Sequence, residues 1–271
     1  MTKEKKNVSA PVLYFPHGGG PLPLMGDAGH EKMVDFLRRM ASILGRPDAI
    51  LVVSAHWEEL KPMVTSGKNP SLIYDYNGFP EETYKIEYPA PGNPILAEKI
   101  VSLIKAGGQT AWRHSQRGFD HGLYVPLKIM YPEASIPCLQ LSLLSNLNSQ
   151  DHIQLGKALS GLRHENILVI GSGFSFHNLS AFFSGNHTVH NSGNERFQEW
   201  LIETCTGDMT EREREKRLTA WESAPFARYC HPREEHLLPL HVCYGMTQSK
   251  AKRVFEEAVM GKKAVAFLWK D

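Results

Sequence analysis

Apolar positions along the chain fall into two patterns, short continuous runs and helically spaced stripes. Residues 11–15 (PVLYF), 49–54 (AILVVS) and 166–170 (NILVI) are continuous runs rich in aliphatic and β-branched side chains, as expected of strands covered on both faces. Residues 137–143 and 263–269 read as two more strands, and a short one is expected at 63–66. Between the runs, residues 29–44 place Met33, Phe36, Leu37, Met40 and Leu44 on one helical face. Helices are also expected over 95–105, 151–163 with Asp151 as N-cap, 194–203, 210–221 and 234–243, with a short one around 126–130. The charged run EREREKR at 211–217 reads as a solvated helix face. Residues 58–94 are polar, punctuated by Pro and Gly and rich in tyrosine, and read as loops laid over the sheet.

Strand–helix alternation with buried strands predicts the α/β class. The expected architecture is a single-domain layered α/β/α sandwich over residues 1–271, with a mostly parallel or mixed central sheet and its site at the strand carboxyl ends. Residues 1–10 are charged and expected to be flexible.

Composition narrows the partners. Lys plus Arg number 30 and Asp plus Glu 29, giving a formal net charge of +1. So even a balance provides no electrostatic footprint for nucleic acid or an anionic membrane surface. No apolar run approaches the length of a membrane span, and the first ten residues lack a signal-peptide core. A cytoplasmic protein, monomer or small homo-oligomer, acting on small molecules is expected. The four cysteines are far apart with no CxxC pair, which excludes a zinc ribbon and a thioredoxin motif. Histidine is abundant, at 13 residues, and it is both the commonest metal ligand and the usual acid/base near neutral pH.

Three of these histidines follow buried runs. His17 closes the first strand, His56 the second, and His177 follows Gly171-Ser172-Gly173, read as a turn after the third. Parallel strands would gather them at one sheet edge, where open α/β sheets bind ligands. Two more sit in suggestive contexts. Asp120-His121 lies between glycines ahead of an apolar segment, and Glu234-Glu235-His236 opens an apolar helix-like run. The bland readings are a turn or cap for Asp120-His121 and helix-dipole carboxylates for Glu234 and Glu235. His241 is given no role, and His30, His114, His152, His164, His187, His190 and His231 are expected at the surface. Imidazoles without thiolates suit zinc, iron or copper, and the residues alone do not choose among these. Gly18-Gly19-Gly20 is not followed by a phosphate-loop pattern, and Ser172 is not in a GxSxG elbow and is a weak nucleophile candidate.

Six segments then occur in a recognisable order: PHGGGP at 16–21, SAHWE at 54–58, YPAPGNP at 88–94, GFDHGLYVPL at 118–127, GSGFSFHNL at 171–179 and REEHLLPL at 233–240. Over nearly its whole length the chain resembles the class III extradiol ring-cleavage dioxygenases, most of all their 4,5-DOPA extradiol dioxygenase branch. The resemblance implies that His17, His56 and His236 bind a metal, with Glu235 as the alternative third ligand. It implies that His177 is an acid/base, or a fourth ligand when zinc replaces iron, and that His121 hydrogen-bonds substrate oxygens and shares the acid/base work. The implied cofactor is non-haem Fe²⁺, with Zn²⁺ possible in the same site. The implied substrates are a small aromatic diol, DOPA-like or another catechol, and O₂, giving a muconic semialdehyde-type product. Trp57 and Tyr76 are expected in the wall against which the ring packs. A zinc hydrolase and a non-catalytic metal-binding module on the same scaffold stand as alternatives.

Overall fold

Among the residues that the computed structural model describes, 10–183 and 187–270 with side chains up to 182 and from 192, eight strands form one mixed sheet. In chain order the strands are β1 (Val12–Pro16), β2 (Ala49–Glu59), β3 (Met63–Thr65), β4 (Trp112–His114), β5 (Cys138–Leu144), β6 (Ile167–Gly173), β7 (Lys252–Val259) and β8 (Lys262–Trp269). The helices are α1 (Glu31–Leu44), α2 (Pro94–Ala106), α3 (His121–Met130), α4 (Ser149–Ala158), α5 (Leu179–Phe183), α6 (His187–Thr206), α7 (Glu211–Thr219), α8 (Ala227–Cys230) and α9 (Leu238–Thr247). The expectation of a flexible segment at 1–10 falls, up to residue 9, outside the described residues.

The sheet order is β4-β3-β5-β2-β6-β1-β8-β7. At its centre β2, β6 and β1 are adjacent and parallel, and β5 runs parallel to β2. The outer strands β3 and β8 are antiparallel to their inner neighbours, and β7 closes the edge as a hairpin on β8. Every residue of β1, β5 and β6 is buried, which accounts for their continuous apolar character. Alternation along β6 shows the two covering layers. Ser172 donates to the carbonyl of Gly122 in α3, whereas Gly171 lies beneath Pro239 and Cys243 of α9. Helices α1 and α3 pack together on the first face, and α4 and α9 on the second.

Several local expectations are corrected. The helix expected over 151–163 is α4 followed by a 3-10 turn, Ser160–His164; its N-cap is Asn148, whose side chain accepts from the Asp151 amide. The helix expected from 234 begins at Leu238, and Glu234–Leu237 is a turn; Pro239 sits in the first helical turn, where its missing N–H leaves nothing unpaired. Gly171-Ser172-Gly173 is the end of β6 and not a turn.

Burial overturns four readings of polarity. His30, His152 and His231 are fully buried, not at the surface. Their imidazoles meet backbone groups: His30 Nε2 accepts from Gly19, His152 Nε2 from Leu144, and His231 Nε2 lies 3.0 Å from the Ser175 carbonyl. The side chains of His187 and His190 lie outside the described residues. Within EREREKR, Arg214 is 1% exposed. Its guanidinium donates to the carbonyls of Thr204 and Gly207 and to Glu211, tying down the end of α6.

Candidate metal centre

The parallel centre of the sheet carries His17 and His56 to one edge. His17 directly follows β1, and the register pairs Pro16 with Gly173, so β1 and β6 end together. His56 lies within β2, past Ser54, which pairs with Ser172. His236 arrives from the other layer, in the turn before α9. Its carbonyl accepts from the Phe174 amide and the Tyr14 hydroxyl. That contact requires glycine at 173, because a Cβ there would stand 2.1 Å from the His236 oxygen. His121 is the first residue of α3, and His177 follows β6.

All five imidazoles line one cavity of about 840 Å³. His17 and His56 present Nε2 atoms 3.0 Å apart. One nitrogen from each of His17, His56 and His236 lies within a 4.8 Å group. The ring centroids of His17 and His236 are 5.2 Å apart, and those of His56 and His236 4.9 Å. His121 stands 4.0 Å from His56, and His177 lies 3.4 Å from His236 with the rings nearly parallel.

The outer nitrogens determine which protons these rings carry. Ser172 Oγ donates to the Gly122 carbonyl, so it accepts from His17 Nδ1 at 3.0 Å. Glu235 Oε1 is 2.9 Å from the Nδ1 of both His236 and His177. Asp75 Oδ1 is 2.9 Å from His121 Nδ1 and also accepts from the His121 amide, and its Oδ2 is 3.6 Å from His56 Nδ1. A carboxylate only accepts, so His236, His177 and His121 donate from Nδ1 and keep a lone pair on Nε2 when neutral, whereas His56 Nδ1 stands beyond hydrogen-bond distance of Asp75. Glu235 therefore serves two rings, His236 and His177, whereas Asp75 holds His121 and stands within ion-pair distance of His56.

Burial, reinforced by the neighbouring imidazoles, holds His17, His56 and His236 well below the usual histidine range. They are neutral near pH 7, the form that binds metals. Burial alone would push Asp75 up, but the hydrogen bond and charge of His121, with His56 nearby, hold it down to about 2. Glu235 is likewise kept below the usual carboxylate range against its burial, by His177 and then Arg233.

These residues fit a divalent cation. Two imidazole Nε2 atoms facing each other at 3.0 Å need a proton or a cation between them. The same separation is the edge spanned by two ligands each about 2.1 Å from one ion at a right angle. The donor set is all imidazole, with His17 and His236 oriented from behind by a hydroxyl and a carboxylate, as metal-binding histidines commonly are. Glu235, the alternative third ligand, has its Oε1 engaged by two Nδ1 atoms, and His236 supplies the nitrogen that faces the others.

Of the two expected wall residues, Tyr76 lines the cavity and Trp57 does not. Successive strand residues face opposite ways, so placing His56 in the cavity turns Trp57 from it. Trp57 is buried against the Arg117 guanidinium, 4.4 Å from its ring, and donates to Glu59. Three contributors escaped the sequence reading. Asp75 lies in an irregular loop 46 residues from His121, where no periodicity marks it. Ser172 orients His17, a role unlike the nucleophile it was weighed for. His30, from beneath, accepts from Gly19 and so fixes the glycine loop after His17.

Comparison with known proteins identifies what the chain is similar to. The model of the family described as the catalytic LigB subunit of aromatic ring-opening dioxygenase matches residues 13–268. The dioxygenase tasH of Hapsidospora irregularis is 38% identical over 278 residues, covering 96% of this chain and 85% of that protein. The 4,5-DOPA dioxygenase extradiol of Beta vulgaris is 37% identical over 246 residues, 88% of each chain. A crystal structure of an uncharacterized Escherichia coli K12 protein aligns with a TM-score of 0.76 at 27% identity, covering 96% of this chain and 99% of that one.

Proposed function

The chain belongs to the class III extradiol, LigB-like family of aromatic ring-opening dioxygenases, and from that premise we propose that it cleaves the ring of a catechol with O₂ beside the diol, releasing a muconic semialdehyde-type product. The observation that carries the reading is the pair of Nε2 atoms of His17 and His56 at 3.0 Å, inside a cavity that three further imidazoles line. His17, His56 and His236 would hold Fe²⁺, and Zn²⁺ suits the same nitrogens. Iron bound there supplies Lewis acidity toward the diol oxygens and the redox capacity that O₂ chemistry needs.

The chain's own residues do the rest. His177, whose Nδ1 proton is committed to Glu235, offers Nε2 to take a proton from a catechol hydroxyl. His121, committed likewise to Asp75, offers Nε2 as hydrogen-bond partner to a substrate oxygen and as the second proton carrier. Tyr76 accepts from Tyr124 and donates to the Thr83 carbonyl, so its ring is fixed as a wall 5.9 Å from His121.

The test is anaerobic loading with Fe²⁺ followed by oxygen-electrode assays over a panel of catechols. Stoichiometric oxygen uptake with a yellow semialdehyde product is expected. An active zinc-loaded protein that consumes no oxygen would replace this reading with a metal hydrolase.

A further inference from the structure

The histidines account for only part of the cavity wall, and the remainder bears on what else the substrate carries. Among the described residues lining it, the one guanidinium or ammonium group belongs to Arg233. Both of its terminal nitrogens are 2.6 Å from the oxygens of Glu58, and Nη1 is 3.4 Å from Glu235. Glu58, Asp75 and Glu235 also line the cavity. A carboxylate carried by the substrate would meet three carboxylates and a guanidinium already engaged. Burying an unpaired charge costs far more than burying a methyl group. Asn77 and Tyr76 add two neutral polar side chains, and the other large side chains of the described wall are apolar: Leu22, Phe79, Phe174, Leu179, Phe182 and Met260.

Met260 is an independent observation. It and Gly261 form the two-residue turn of the β7–β8 hairpin, with φ of +52° and +75°. Two positive φ angles are the mark of a type I′ turn, whose first position favours Asn, Asp or Gly. A methionine there is strained. Its side chain nonetheless lies on the glycine loop, where a Cβ at Gly19 would come within 2.9 Å of the Met260 sulfur. The backbone gains nothing from methionine at this position, so the side chain is its purpose, and that side chain lines the cavity.

We propose that the cavity takes a catechol whose ring substituent is uncharged and apolar, and that Met260 is a specificity-determining residue in contact with that substituent. The inference rests on the catechol reading above, but binding tests it separately from turnover. Metal-loaded protein, kept anaerobic, is titrated by calorimetry with 4-propylcatechol and with 3-(3,4-dihydroxyphenyl)propionate, which differ by a methyl against a carboxylate; L-DOPA is the third ligand. The alkylcatechol should bind at least about tenfold more tightly than either anionic compound. Met260→Asn, which suits the turn, should narrow that ratio by about threefold through loss of the apolar contact with the propyl chain, without lowering Tm. Equal or tighter binding of the propionate or of L-DOPA overturns the substituent preference, and an unchanged ratio in Met260→Asn overturns the role of Met260. If no catechol is consumed by the iron-loaded protein, ring cleavage fails as the reaction, while the binding ratio still decides the preference.

Discussion

His177 lies flat against His236, with ring centroids 3.4 Å apart and planes 18° from parallel, and both rings face the same oxygen of Glu235 from 2.9 Å. One carboxylate thus orients a metal-ligand candidate and an acid/base candidate together. Glu235→Gln keeps an acceptor in place but removes its charge, so both hydrogen bonds weaken. Metal affinity, measured by chelator competition, should fall by about tenfold, the lower end for residues that orient metal-binding histidines. Unchanged affinity would mean that Glu235 serves His177 alone.

The two kinds of histidine should separate on substitution. His17→Ala or His56→Ala removes one of the Nε2 atoms that face each other, and metal content after gel filtration should drop to background. His121→Ala should retain the ion and lose turnover by about 10²-fold or more, because it removes a proton carrier and not a ligand. Loss of metal in His121→Ala would place that ring among the ligands.

Asp75 receives two bonds from His121 at 2.9 and 3.0 Å and stands 3.6 Å from His56. Its grip is therefore tighter on the acid/base ring. Asp75→Asn should lower kcat by about 10²-fold while metal content falls far less. Equal losses of both would show that its main service is to His56.

The metal-free protein should lose stability in mild acid. Burial holds His152 down to about 4 and His231 to about 3. The unfolded chain takes up these protons near pH 6.5 while the native protein refuses them, so stability rises with pH in this window and is lost as pH falls. Each group contributes a slope of about 1.4 kcal/mol per pH unit between about 6.5 and its depressed value. Urea unfolding at pH 7, 6 and 5 measures this slope. In His152→Gln the slope should shrink by about one proton, and an identical slope would contradict the assignment.

The sequence alone determined the layered α/β class, the parallel neighbours β1, β6 and β2, and three of the five histidines found in one cavity, His17, His56 and His177; His121 and His236 entered through the family resemblance. It could do so because buried parallel strands must be continuously apolar, and because parallel strands bring the residues at their carboxyl ends to one edge. Trp57 was legible in principle, since a strand that turns His56 inward turns its neighbour away. Other features depended on contacts between distant segments. Asp75 belongs to a loop with no periodicity, and only packing against α3 brings it to His121. His30, His152 and His231 sit among polar neighbours in sequence, yet folding surrounds them with core, because local composition does not record what another element lays on top. Met260 is the sharpest case. As a turn residue it reads as a poor choice, and its fitness emerges only when the β7–β8 hairpin sets its sulfur over the glycine loop of the cavity. Backbone periodicity is a local property that sequence carries directly, whereas the partners of a buried polar or strained residue are set by the tertiary fold.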